Sequence, residues 1–155
     1  MKLKTVQDDD YNLIKFSKEI NHGDFTFRFA IKLTYLEEYG DDVCKGGKYS
    51  VCVDAVSPES AGKDKVIDAI ESWTDDQDVI NQYLSDPYTP YLTLLEYGIS
   101  ATLFHKQGNN KNQLLKDASK ELKVIDMLFG FYMDKYQNRI GNTGWDFISG
   151  NIGWK

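Results

Sequence analysis

The stretch that decides the fold is Phe25-Thr26-Phe27-Arg28-Phe29-Ala30-Ile31-Lys32-Leu33-Thr34-Tyr35. Phe25, Phe27, Phe29, Ile31, Leu33 and Tyr35 fall on one side of a two-residue repeat, and Thr26, Arg28, Lys32 and Thr34 fall on the other. Side chains alternate across a β-strand, so this is the pattern of a strand with one face in a core. Upstream, Ile14, Phe16 and Ile20 share the same spacing, which predicts a weaker strand with the three on one face. Asn21-His22-Gly23-Asp24 supplies hairpin-turn residues between the two. Downstream, a Gly/Asp-rich connection over 36–47 leads into residues 48–56, where Tyr49, Val51, Val53 and Ala55 alternate again. The economical reading is a three-stranded antiparallel meander.

Past residue 56 the period changes. Ser57-Pro58 has the chemistry of an N-cap followed by proline at the first helical position, and Val66, Ile67, Ile70 and Trp73 recur at helical spacing. A helix over 58–73 is expected, then an acidic break at Asp75-Asp76-Gln77-Asp78 and a short helix near 79–85. Asp86-Pro87 and Thr89-Pro90 offer two alternative helix starts. Residues 91–105 fit both periods: Leu92, Leu95 and Ile99 suit a helix, whereas Tyr97, Ile99, Ala101 and Leu103 alternate, and helix is the preferred reading.

The longest helix is expected over 111–139, where Leu115, Ala118, Leu122, Ile125, Phe129, Tyr132 and Tyr136 follow a three-four spacing. Asn110 is placed to cap it, Gln113 stands in capping-box position, and Gly141 is placed to end it. From 124 to 133 only Asp126 and Gly130 interrupt an apolar circumference, which predicts the buried centre of the fold or, in part, an interface. The fold expected is therefore α+β: an N-terminal three-stranded antiparallel meander on a long C-terminal helix, with shorter helices on the other side. The 155 residues suit one globular domain, β-rich over 1–56, helical over 57–140, and closed by a Gly/Trp-rich tail over 141–155.

That tail holds a near-repeat, Gly141-Asn142-Thr143-Gly144-Trp145 and Gly150-Asn151-Ile152-Gly153-Trp154. Gly-Asn turns that anchor a tryptophan on the core account for it best. A stacking site for a carbohydrate or cation, and a partner-binding tail, are the other readings. Of the two rings, Trp154 is expected to be the one left for a partner.

Charge is unevenly spread around a net −6: residues 1–100 carry 19 Asp/Glu against 10 Lys/Arg, and residues 101–155 carry 5 against 8. The acidic part disfavours nucleic acid and favours a basic partner surface. No apolar run reaches membrane-spanning length, and the start has no apolar core before Asp8, Asp9 and Asp10, so no signal peptide is expected. Cys44 and Cys52 match neither a disulfide framework nor a metal site, which suits a reducing, cytoplasmic setting.

Catalytic chemistry finds little purchase. His22 and His105 have no nucleophile-elbow serine to serve, and they read as surface histidines. The acid clusters at 8–10, 41–42 and 75–78 lack the calcium-loop pattern, and the Gly-rich stretches lack a Walker lysine. No metal and no cofactor is expected.

The first functional expectation is a non-enzymatic protein-binding module, a small acidic inhibitor or adaptor of the kind that phages and mobile elements encode to block host defence enzymes. Its partner would be a protein with a basic surface. The residues placed at the contact are Glu37, Glu38, Asp41 and Asp42, then Asp75, Asp76 and Asp78, together with Trp154. The second expectation is a metal-dependent hydrolase using Asp54 and neighbouring acids. A third, nucleic-acid binding through Lys116, Lys120 and Lys123, runs against the overall field. The oligomeric state stays open, a homodimer included.

Overall fold

The computed structural model describes residues 1–22, 25–58, 68, 71, 72, 74–96, 98 and 100–136, with backbone alone at His22, Phe25, Glu38, Leu84 and from 129 onward. Among these, a six-stranded antiparallel sheet is built from β1 (Lys4–Asp8), β2 (Asn12–Phe16), β3 (Ile20–His22), β4 (Phe25–Tyr35), β5 (Tyr49–Val56) and β6 (Ala101–Gly108). The strand order is β1-β2-β4-β5-β6, with β3 also paired to β4. Helices α1 (Gln77–Ser85), α2 (Thr89–Glu96) and α3 (Lys111–Tyr136) complete an α+β fold.

The alternation along β4 sets both faces. Phe27, Phe29, Ile31 and Leu33 join Val51, Val53, Ala55, Ala101 and Leu103 in one buried cluster under Leu114, Ala118, Leu122 and Ile125 of α3. Burying each Val, Leu, Ile or Phe there is worth about 1.5–3 kcal/mol. The opposite face is apolar only at one end, where Ile14, Phe16, Ala30 and Val56 meet Ile80 of α1 and Tyr91, Leu94 and Leu95 of α2. The long helix on one side and the short helices on the other are as the sequence implied.

The sheet itself exceeds the meander. The weak strand before the hairpin is interrupted: Ser17 takes a place in the ladder, its N–H donating to Phe29 O at 2.9 Å and its Oγ accepting from Phe29 N at 2.9 Å. Across that interruption the phase flips. Ile14 and Phe16 face α1 and α2, while Ile20 joins the cluster under α3, so the three do not share a face.

The reading of 91–105 as helix is corrected. Leu95 and Tyr91 are helical, but Gly98 turns the chain at φ +71°, and residues 101–108 then pair with β5 from Tyr49 to Ala55. A β5 without this neighbour would leave its backbone groups unpaired beside the core.

Caps fix the helix starts. Asp76 accepts from Asp78 N at 3.0 Å at the head of α1, and Asp86 accepts from Tyr88 N at 2.8 Å and Thr89 N at 3.2 Å before α2. Asn110 caps α3 through Gln113 N at 3.1 Å. Gln113 does not reach back as a capping box requires; its amide donates instead to Asp117 Oδ1 at 2.9 Å.

Inside α3 the expected stripe holds at Ala118, Leu122 and Ile125, with Leu114 rather than Leu115 fully buried, while the side chains of Phe129, Tyr132 and Tyr136 lie outside the described ones. The apolar stretch from 124 is not a uniformly buried centre, because Val124 is 42% and Met127 72% exposed. The helix expected over 58–73 and the tail over 141–155, with Trp145 and Trp154, lie largely or wholly outside the described residues. No helix among the described residues is long and apolar enough to cross a membrane.

Candidate protein-binding end of the sheet

Two connections far apart in sequence emerge side by side at one end of the sheet. The first is the β1–β2 turn, residues 9–11, and the second is the β4–β5 connection, residues 36–48. They meet because β2 and β4 are antiparallel with Asn12 opposite Thr34, and Tyr35 N donates to Tyr11 O at 2.7 Å just beyond the last ladder pair. Asp8, Asp9 and Asp10 come from the first, and Glu37, Glu38, Asp41 and Asp42 from the second. With Lys45 and Lys48 these residues carry a net −5.

The turn is built by one of its own carboxylates. Asp9 Oδ1 accepts from Tyr11 N and Asn12 N, each at 2.8 Å, and Oδ2 accepts from Gln7 Nε2 at 2.8 Å. These bonds, the one from Asn12 foremost, hold its carboxyl below the ordinary carboxylate range. Asp8, Asp10 and Tyr11 are left exposed on the outside of the turn.

The longer connection is a pair of short 3-10 turns, Glu37–Tyr39 and Asp41–Cys44, joined at Gly40, whose φ of +105° suits glycine. It is tied down from β6. Gln107 Nε2 donates to Val43 O at 2.6 Å and Gly47 O at 2.8 Å, and Asn109 Oδ1 accepts from Lys48 N at 3.0 Å. Gly47, at φ +136°, lies so close to Gly108 that an added Cβ would fall 2.3 Å from the backbone carbon there. The pinned connection presents Tyr39 at 60% and Val43 at 44% exposure, and the β1–β2 turn presents Tyr11 at 47%. Glu37, Asp41 and Asp42 are all exposed around them. The Lys45–Asp42 pair, 3.9 Å apart and open to water, offsets little of this charge.

The structure thus brings Glu37, Asp41 and Asp42 together and adds Asp8, Asp9, Asp10 and Tyr11, which the sequence reading had not placed at a contact. Asp75, Asp76 and Asp78 are elsewhere. They precede or open α1, whose Ile80 belongs to the cluster around Ala30, five residues and about 17 Å along β4 from Tyr35. Asp76 is engaged as the α1 cap; Asp75 and Asp78 are exposed. Trp154 lies outside the described residues.

Asp54 has different company from the acids expected beside it. It is 6% exposed on β5; Oδ2 accepts from Ser100 Oγ at 2.9 Å, and Oδ1 is buried without a partner. Burial pushes its carboxyl above the ordinary range, opposed by the hydrogen bond from Ser100, by the nearby Thr102 hydroxyl, and by Lys32 and His105. Burial, and then the neighbouring Asp54, push the Cys52 thiol up to about 12, too high for a reactive thiolate near neutral pH. Among the described residues no group of three or more His, Cys, Asp or Glu is placed to hold a metal ion.

Comparison with protein-family models, with curated proteins and with solved structures finds no match to this chain.

Proposed function

We propose that this chain is a non-enzymatic protein-binding module, an inhibitor or adaptor, that seats the acidic, tyrosine-bearing end of its sheet on a basic surface of a protein partner. The observation that carries this reading is the convergence of the β1–β2 turn with the β4–β5 connection, two carboxylate-rich segments separated by 24 intervening residues. Exposed rings of Tyr11 and Tyr39 stand among those carboxylates. Carboxylates steer a cationic partner and set register, while tyrosines supply contact area at low entropic cost and stack on guanidinium groups. Gly47, Gln107 and Asn109 hold the connection in one shape before binding, which reduces the ordering cost of association.

The test is to recover binding proteins from cells of the native host and to measure the purified complex by calorimetry at low and high salt. Reversing Asp8, Asp10, Asp41 and Asp42 to lysine is expected to weaken binding at least about tenfold and to flatten its salt dependence. Reversal of Asp75 and Asp78 is the matched comparison and is expected to leave affinity unchanged. Equal affinity of the four-site variant and the native chain at both salt concentrations would sink the reading.

A further inference from the structure

At the other end of β4 a cation is buried with too few partners. Arg28 is 6% exposed, yet among the described residues its guanidinium makes one hydrogen bond, from Nη1 to Ser17 O at 2.8 Å. Its Nε is buried with no acceptor, and Nη2 lies 3.6 Å from Glu19 Oε1, beyond hydrogen-bond length. A guanidinium carries five N–H donors, and burying one so sparsely bonded is costly. The rings of Tyr88 and Tyr91, at 4.5 and 4.9 Å, fix its position and offset part of that cost. Lys4 of β1 reaches the same ring, its Nζ 5.0 Å from the Tyr88 centroid.

Among the described residues Glu19 is the anion paired with Arg28, and it is loosely seated. Its side chain is 50% exposed, and its Oε1 is approached by Tyr91 Oη at 3.3 Å and by Arg28 at 3.6 Å, both long. One carboxylate therefore answers the buried guanidinium across weak contacts. A phosphate monoester, near −2 at neutral pH and with three strong acceptor oxygens, answers the charge and the idle donors better.

We propose that Arg28 and Lys4, set around Tyr88, form an oxyanion site for a phosphate group, in which the side chain of Glu19 is the resting occupant that the ligand displaces. The site is independent of the acidic end of the sheet, and neither proposal needs the other. The phosphate would come either free, on a small molecule, or on a phosphorylated protein side chain.

The test follows the Arg28 Nε–H resonance in 15N spectra of the full chain during titration with inorganic phosphate at constant ionic strength, with chloride as control. A saturable shift is expected in the native chain. Glu19→Gln, which removes the competing charge, should tighten binding several-fold, and adding Lys4→Ala should weaken it about tenfold. Repeating the titration with O-phosphoserine separates the sources: tighter binding than inorganic phosphate assigns the site to a modified side chain, and equal or weaker binding to a free phosphate. An Arg28 resonance that phosphate moves no more than chloride does, in the native chain and in Glu19→Gln, would overturn the proposal and leave Arg28 as a strut for α2. Should Glu19→Gln not fold, Lys4→Ala alone, at an exposed position, must still weaken binding in the native background; unchanged affinity there overturns it equally.

Discussion

Asp54 shows what a single buried carboxylate does to the stability of this sheet. Its native pKa is raised, burial being the largest cause, so the native state holds that proton more tightly than the unfolded chain does. The contribution to stability is therefore fully present below the ordinary value of 3.8 and is lost as pH rises through the raised native value. Asp54→Asn removes this loss: as pH rises from 4 to 8 the stability difference between variant and native chain should move in the variant's favour, then level off once the raised native value is passed. Urea denaturation across that range measures it, and a difference that stays constant with pH would show that Asp54 does not titrate as argued. Ser100→Ala, which takes away the Oδ2 donor, should cost about 1–3 kcal/mol at pH 7. The sequence located Asp54 on a strand but not its surroundings. Ser100 lies 46 residues on, and it reaches Asp54 only because residues 101–108 pair with β5, a segment whose own period pointed two ways.

At the scale of elements, α3 offers the sharpest check on which side of a helix is inside. Ile125 is fully buried under the sheet and Met127, two residues on, is 72% exposed. Ile125→Ala should cost about 2–5 kcal/mol, and Met127→Ala should stay within about 0.5 kcal/mol of the native chain. Equal costs in chemical denaturation would mean that both sides of the helix are covered. Where one face is lined by large apolar side chains and the other by smaller or polar ones, as in β4 and the first part of α3, the period alone gave element and orientation. It failed at two places with a common cause. At Ser17 a hydroxyl enters the ladder and flips the phase of Ile20 relative to Phe16. At Gly98 a helix stops and a strand begins within five residues, so the two periods overlap. Both outcomes depend on what the neighbouring strand needs, β4 at Phe29 and β5 along its open edge. No local window contains that information.

For the molecule as a whole, charge is segregated by topology more than by sequence. The acidic first two-thirds of the chain was visible in composition, but composition could not show that residues 8–10 and 37–42 share one end of the sheet while residues 75–78 do not. That follows from the antiparallel pairing of β2 with β4, which returns the first turn to the exit of the fourth strand. Asp8, Asp10, Asp41 and Asp42 are exposed, and among the described residues the only side-chain contact they make is the long Lys45–Asp42 pair. Their charge is thus available to a field that extends into solvent. Replacing these four with asparagine raises the net charge from −6 to −2 and leaves Asp9, which builds the turn, in place. Each replacement should change stability by no more than about 0.5 kcal/mol, so the variant should melt close to the native chain. Its association with a basic partner should behave differently. Steering acts on the encounter, so the association rate should fall at low salt by about tenfold or more, and the gap from the native chain should close as salt shortens the screening length to a few ångströms. Stopped-flow association across an ionic-strength series, with dissociation measured separately, resolves the two steps. A loss confined to the dissociation rate and insensitive to salt would mean that the carboxylates act as contact groups in the finished complex, and that the end of the sheet does not guide its partner in.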